Sequence, residues 1–112
     1  MQPESPKYLE DIRDSAQFIL DVVSELSIEL FRENRLLCQA VERNFEIIGE
    51  ALNKLKKADA QTAESINHYP RIIAFRNILA HGYDILDRDV IWHIIQGNLP
   101  QLLQDVEKLL RQ

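Results

Sequence analysis

Glycine and proline are scarce in this chain, with three glycines and four prolines among 112 residues. These two residue types interrupt regular structure more than any others, so their scarcity favours long helices joined by short connections. Apolar residues recur at steps of three and four, and no segment shows the clear two-residue alternation typical of a half-buried strand. The sequence therefore predicts an all-α fold.

Two helices are predicted in the first half of the chain. The first begins after Ser5, because Pro6 suits the first helical position, where its missing N–H is not needed. A break over residues 24–27 and a short helical turn over residues 28–31 precede the second helix, which runs from about Asn34 to Lys57. The apolar stripes of the two helices are Tyr8, Ile12, Ala16, Ile19, Val23 and Leu26, and then Leu37, Val41, Phe45, Ile48, Leu52 and Leu55.

A loop and a third helix follow. The loop spans residues 59–69, with room for a helical turn over residues 63–66. The third helix begins at Pro70 and extends to about Ala80, because Gly82 is a favourable position for a helix to end.

The last part of the chain predicts a fourth helix that begins near Asp87, a favourable N-cap residue. Gly97 and Pro100 are expected to kink or split this helix. The predicted whole is a single domain over residues 1–112, an up-and-down bundle of four to five helices.

The net charge of −5 argues against a protein that coats nucleic acid through bulk electrostatic attraction. The charge is uneven, however. Residues 1–31 contain two basic and seven acidic residues, whereas residues 32–83 contain eight basic and six acidic residues. A local basic surface and an ordinary mixed-charge surface both fit this distribution.

Cys38 is the one cysteine, so it has no partner for an intramolecular disulfide. It follows Leu36 and Leu37, and this apolar setting predicts a buried, unreactive thiol. A reducing cytoplasmic location is consistent with this cysteine usage. The first six residues lack the pattern of a signal peptide, and no apolar stretch approaches the roughly 20 residues needed to cross a bilayer.

The motifs of several enzyme classes are missing from the sequence. The glycines at 49, 82 and 97 stand alone, so there is no glycine-rich phosphate loop and no glycine elbow to support a Ser-His-Asp triad. No two of the histidines at 68, 81 and 93 lie three or four residues apart, so their spacing argues against a helical metal site. We expect neither a metal nor a cofactor.

Arg76, His81 and Tyr83 are suited to phosphodiester chemistry. An RNA 2′-hydroxyl can attack its own phosphate without a metal, and histidine supplies an acid or base whose pKa is near neutrality. A guanidinium can stabilise the negative charge that builds on the phosphate, and a tyrosine hydroxyl can donate to a phosphoryl oxygen or be modified.

Helix geometry limits this interpretation. Arg76 and His81 are five residues apart, which places them about 140° from one another around an intact helix, so His81 reaches Arg76 only if the helix loosens before Gly82. An arginine and a histidine near a helix end also commonly serve in capping and ion pairing. Spacing alone therefore does not establish a nuclease.

Three blocks of the sequence together resemble one family. The segment over residues 76–83, Arg-Asn-Ile-Leu-Ala-His-Gly-Tyr, resembles the R-x4-H-x-Y motif of HEPN-domain proteins, specifically the HepT-like toxin family. Residues 40–51, with their Ile-Gly-Glu-Ala stretch, are similar to that family's second helix, and residues 91–102 resemble its last helix. Phe75 stands where tryptophan is expected, which exchanges one aromatic residue for another.

The resemblance implies a helical bundle that forms a homodimer and acts as a metal-independent endoribonuclease on RNA. It implies that Arg76 and His81 of both subunits are catalytic and line a shared cleft. It also implies the toxin role in a toxin–antitoxin pair, with a nucleotidyltransferase antitoxin of the MNT type as the partner. That antitoxin can transfer AMP onto the motif tyrosine, here Tyr83, and so block the RNA site.

Three further residues are candidates for supporting roles. Asn77 fits the second position of the motif and can contact phosphate or fix the helix end. Glu46 and Glu50 lie four residues apart and share a helix face, so one of them can orient Arg76, although both can equally be solvated partners of Arg43 and Lys54.

Other candidates are weaker. Trp92 and His93 are interpreted as a core and a surface residue of the fourth helix, and His68 and Tyr69 as possible lining of the cleft mouth. The alternative function is a non-catalytic helical module that binds the nucleotidyltransferase partner or a nucleotide.

Overall fold

All regular secondary structure in the described part of the chain is helical. A computed structural model describes residues 1–81 and 87–112, and for Ile78, Ala80 and His81 it describes the backbone only. The described residues form seven helices: α1 Ser5–Val23, α2 Ile28–Glu33, α3 Arg35–Ala58, α4 Ala60–Glu64, α5 Tyr69–His81, α6 Arg88–Gly97 and α7 Leu99–Leu110. The all-α prediction is confirmed.

Five of these helices have ten or more residues and correspond to the predicted bundle, with the fourth predicted helix divided into α6 and α7. The division falls at Asn98, one residue after Gly97, and Pro100 occupies the first turn of α7. Asp87 caps α6 as predicted, because its side chain accepts a hydrogen bond from the backbone N–H of Asp89. The predicted end of α5 at Gly82 falls outside the described residues.

The helical turn in the predicted loop lies three residues earlier than expected, at α4. The cause is Asp59, which lies at 9% exposure and caps α4 through a 3.3 Å hydrogen bond from the backbone N–H of Thr62. The same carboxylate accepts hydrogen bonds from the hydroxyls of Thr62 and Ser5, at 2.6 and 2.7 Å, and from the backbone N–H of Gln2. These donors, the Thr62 hydroxyl foremost, hold the pKa of Asp59 far below its usual value. The start of α1 is thereby fastened to the end of α3.

The long helix α3 is the centre of the bundle. It packs against α1 on one side and α5 on the other, and α1 also packs against α7. The buried stripes follow the predicted spacing, except that Leu9 and Cys38 are buried where Tyr8 and Leu37, both half-buried, were expected. None of the helices in the described ranges is both long and apolar enough to cross a membrane.

The beginning of α6 is held against α2. Arg32 forms two hydrogen bonds to Asp89, with Nε–Oδ1 and Nη2–Oδ2 distances of 2.5 and 2.7 Å. Beside this pair the rings of Phe31 and Trp92 lie 5.3 Å apart. These contacts fix the beginning of α6 against α2.

Candidate active site

Helix α5 carries Arg76 and His81 and remains helical through His81. The loosening before Gly82 that would bring His81 round to Arg76 is therefore not present in the backbone. Positions 76 and 81 lie about 140° apart around the axis of α5, as the five-residue separation requires. Tyr83 lies outside the described residues, and only the backbone of His81 is described.

Gly49 provides the surface on which Arg76 lies. A Cβ atom built at Gly49 would overlap the Cβ and Cγ atoms of Arg76. The stem of Arg76 therefore occupies the volume that any side chain at position 49 would fill. Helices α3 and α5 can approach this closely only because position 49 is glycine.

Hydrogen bonds hold the guanidinium of Arg76 at two of its nitrogens. Nη2 donates to Oε1 of Glu50 at 3.3 Å, and Nη1 donates to Oδ1 of Asn77 at 3.2 Å. The Arg76 side chain is 28% exposed, so the group is fixed yet open to solvent. Asn77, predicted to contact phosphate or fix the helix end, contacts the arginine in this structure.

The two candidate glutamates differ in their partners. Glu50 lies beside Arg76 and also 3.7 Å from Nη1 of Arg43. Glu46 lies 3.2 Å from the same Arg43 nitrogen, which was its alternative partner in the sequence interpretation. Of the two, Glu50 is thus the one in a position to orient Arg76.

Arg76 retains hydrogen-bonding capacity. Its Nε is buried and has no hydrogen-bond partner among the described atoms. A guanidinium has five N–H donors, and the contacts with Glu50 and Asn77 use two of them. The second N–H of Nη1 and that of Nη2 are suited to a phosphate, whose oxygens match the planar fork of an arginine, whereas the buried Nε is closed to one.

Glu42 extends the acidic row one turn further along α3. Burial raises its pKa, and the neighbouring Arg88 partly offsets this effect, while Glu46 adds to it. Glu42, Glu46 and Glu50 follow one another at four-residue steps, so a strip of charge runs along α3 from the start of α6 towards Arg76. No sequence motif identified Glu42 as a neighbour of the site.

The remaining candidate residues have contacts that indicate structural rather than catalytic roles. Cys38 is buried, its thiol donates to the carbonyl oxygen of Phe31 at 3.2 Å, and burial raises its pKa, so it is an unreactive thiol as predicted. Trp92 is half-buried against Phe31, and His93 is exposed. No group of three potential metal ligands from histidine, cysteine, aspartate and glutamate occurs within residues 1–81 and 87–112.

Gly49 is the residue that sequence reasoning overlooked, although it belongs to the Ile-Gly-Glu-Ala stretch. A signal was available. Glycine inside a helix is less favourable than alanine by about 1 kcal/mol, so an isolated glycine within a 24-residue helix often marks a close packing contact.

Comparison with known proteins places this arrangement in a family. The family model described as "Ribonuclease HepT-like" matches residues 10–109. The chain belongs to the HepT-like ribonuclease family. The resemblance read from the three sequence blocks is thereby confirmed.

Individual relatives of this HepT-like chain match it over most of their length. A protein named "Putative RNase" from Caldanaerobacter subterraneus subsp. tengcongensis is 31% identical, covering 93% of this chain and 92% of the relative. A protein named "Probable ribonuclease HepT" from Thermococcus cleftensis is 29% identical, covering 97% and 98%. A "Putative RNase" from Methanocaldococcus jannaschii is 28% identical, covering 89% and 91%. No solved structure gives a significant match.

Proposed function

We propose that this chain is an endoribonuclease that cleaves RNA with Arg76 and His81 and without a metal ion. The observation that carries the proposal is the way the Arg76 side chain is packed and hydrogen-bonded. Its stem lies on Gly49, its guanidinium is oriented by Glu50 and Asn77, and donors remain for a phosphate. Membership of the HepT-like ribonuclease family and the names of its relatives support the same activity.

In the proposed reaction the nucleophile is the 2′-hydroxyl of the RNA. A base takes its proton, the 2′-oxygen forms a bond to phosphorus, and the bond from phosphorus to the 5′-oxygen of the next nucleotide breaks. That 5′-oxygen takes up a proton, and the other fragment ends in a 2′,3′-cyclic phosphate. His81 takes the proton from the 2′-hydroxyl and gives a proton to the leaving 5′-oxygen, because an imidazole titrates near neutral pH and can act as base and as acid. Arg76 stabilises the charge on the phosphate oxygens as the pentavalent transition state forms.

The active unit in this proposal is a homodimer. Positions 76 and 81 of one α5 point about 140° apart, so one helix does not direct both residues at one phosphate. Two copies related by a two-fold axis can pair Arg76 of one subunit with His81 of the partner subunit. The family resemblance likewise implies a cleft shared by the two subunits and lined by Arg76 and His81 of both.

The proposal is tested by incubating purified chain with single-stranded RNA in excess EDTA. Wild type is expected to cleave, and His81→Ala to lose about 10²–10⁴-fold in kcat, the usual contribution of general acid–base catalysis. His93→Ala is the matched control, because it removes an exposed histidine from α6. Loss of wild-type cleavage in EDTA that returns with added Mg²⁺ would contradict metal independence. Cleavage unaffected by His81→Ala would contradict the catalytic assignment.

We further propose that the ribonuclease is the toxin of a toxin–antitoxin pair, and that a nucleotidyltransferase antitoxin transfers AMP to Tyr83. The position of Tyr83, two residues after His81, would place the added AMP beside the RNA site. Intact mass of the chain co-expressed with its antitoxin should show added AMP. Tyr83→Phe should remove the addition, whereas Tyr8→Phe on α1 should leave it in place. An unchanged mass under co-expression would count against modification.

A further inference from the structure

A groove of about 590 Å³ lies between α5 and the junction of α6 with α7. This volume lies within the usual range of small-molecule sites. Phe75, Ile94 and Leu102 contribute apolar surface, while His68 and Arg71 are polar lining residues at the α5 end. The groove therefore combines an apolar floor with cationic or polar edges.

The charge of the groove contrasts with that of the chain. None of its lining residues is acidic, although the chain has 18 acidic residues and a net charge of −5. Asp105 is not a lining residue, but its carboxylate is hydrogen-bonded to two residues that are. It accepts from the backbone N–H of Asn67 at 3.1 Å and from the side chain of Gln101 at 2.8 Å. An apolar floor with Arg71 at its edge is complementary to a flat ring attached to a phosphate.

The groove lies next to Arg76 along both α5, which carries Arg76, and α3, on which Arg76 lies. On α5, Ile72 lines the groove and lies one turn before Arg76 on the same face. On α3, Phe45 lines the groove and lies one turn before Gly49, on which Arg76 rests. One helical turn is about 5.4 Å, a separation that the sugar of a single nucleotide can span.

We propose that this groove is a nucleobase subsite, which binds the unpaired base of a nucleotide next to the phosphate at Arg76. The proposal rests on the proposed function for the role of Arg76. The base stacks on Phe75, whose ring is set by a perpendicular contact with Phe45 at a centroid distance of 5.2 Å. Stacking accepts any base, and the exposed amides of Asn67 and Asn98 offer partners to its edge.

The subsite assigns a substrate class to the enzyme. A base inside an A-form duplex is stacked and paired, so only a single-stranded or looped-out nucleotide can enter the groove. The guanidinium of Arg71 is exposed at the edge, where it attracts the phosphate of the same nucleotide. RNA with unpaired bases around the cleaved phosphate is therefore the substrate class.

Binding at the groove is measured first without reference to cleavage. Methyl resonances of Ile94 and Leu102 should shift when CMP or AMP is added, because an aromatic ring beside a methyl group alters its chemical shift. Ribose 5-phosphate, which carries no base, should leave them unshifted, and the methyl of Ile19 in α1 serves as the internal reference. Equal shifts with ribose 5-phosphate would overturn the proposal. So would shifts that appear with protein concentration alone, since they would assign the groove to a protein interface.

Cleavage kinetics then test the position of the subsite. An RNA with an abasic ribonucleotide next to the cleaved phosphate should have a KM about tenfold higher than the intact RNA, within the range expected from loss of one stacked base. Phe75→Leu should reduce this difference to near unity, because the aromatic surface is gone. Arg71→Gln, at an exposed position whose change leaves the core intact, should raise the KM for both RNAs alike. An abasic RNA cleaved with unchanged KM would refute the subsite. A wild type that cleaves no RNA would refute the proposed function, while the resonance shifts still decide whether the groove binds a base.

Discussion

Arg76→Ala is expected to reduce kcat for RNA cleavage by at least about 10²–10³-fold, the usual effect of removing one preorganised donor from an anionic transition state. The fold should survive the change. The Arg76 side chain is 28% exposed, and Glu50 keeps a second cation, Arg43, at 3.7 Å, so Glu50 is not left without a positive neighbour. The measurement is single-turnover cleavage of RNA in EDTA, together with thermal unfolding of the same samples.

Two variants calibrate this result. Arg76→Lys keeps the charge but loses the planar fork, so it should recover only part of the activity. Arg13→Ala removes a partly exposed arginine from α1 and should retain full activity. An Arg76→Ala enzyme within twofold of wild type would contradict the role assigned to the guanidinium.

A site composed of residues from two subunits can also be tested by mixing inactive variants. A chain with Arg76→Ala and a chain with His81→Ala are each expected to be inactive alone. Mixed dimers should recover activity, because one of their two sites pairs the intact Arg76 of one subunit with the intact His81 of the partner subunit. A site contained within a single subunit would show no recovery, since neither subunit then holds both residues.

The helices could be predicted because their boundaries depend on local chemistry. Pro6, Asp87 and Pro100 act through their own backbone and nearest neighbours, and the structure places helix starts at or beside each of them. The start of α4 was misplaced although its cap is local, since Asp59 accepts from the backbone N–H of Thr62 three residues later. The further contacts of Asp59 with Ser5 and Gln2 join residues distant in sequence, and local signals do not contain them.

The same distinction applies to the candidate site. Spacing put Glu46 and Glu50 on one face of α3 but did not separate them, because their partners depend on where α5 crosses α3. The contact between Gly49 and Arg76 determines that crossing, and its two residues are 27 positions apart. The groove beside Arg76 likewise combines residues from α3, α5 and the α6–α7 junction, so no single segment of sequence contains it.

Gly49→Ala is expected to lower both the free energy of unfolding and the rate of cleavage. Replacing glycine by alanine inside a helix usually has the opposite effect on stability. Alanine is the better helix former by about 1 kcal/mol, so the change would stabilise a helix in which no neighbouring atom contacts this position. Here the new Cβ overlaps the stem of Arg76, and α5 must move away from α3 to admit it. Overpacking of this kind typically costs about 1–3 kcal/mol. A displacement of about 1 Å in a catalytic group can lower the rate about 10²-fold.

Gly97→Ala is the matched control for stability, because Gly97 is also helical and a Cβ built there meets nothing within 4 Å. It should be neutral or stabilising in urea unfolding, whereas Gly49→Ala should be destabilising. Ile12→Val, in the fully buried part of α1, controls for destabilisation without displacement of Arg76, and it should keep its cleavage rate wherever the protein remains folded. If Gly49→Ala were as stable as Gly97→Ala, the close approach of α3 and α5 would be wrong. If it were destabilised yet fully active, Arg76 would not depend on Gly49 for its position.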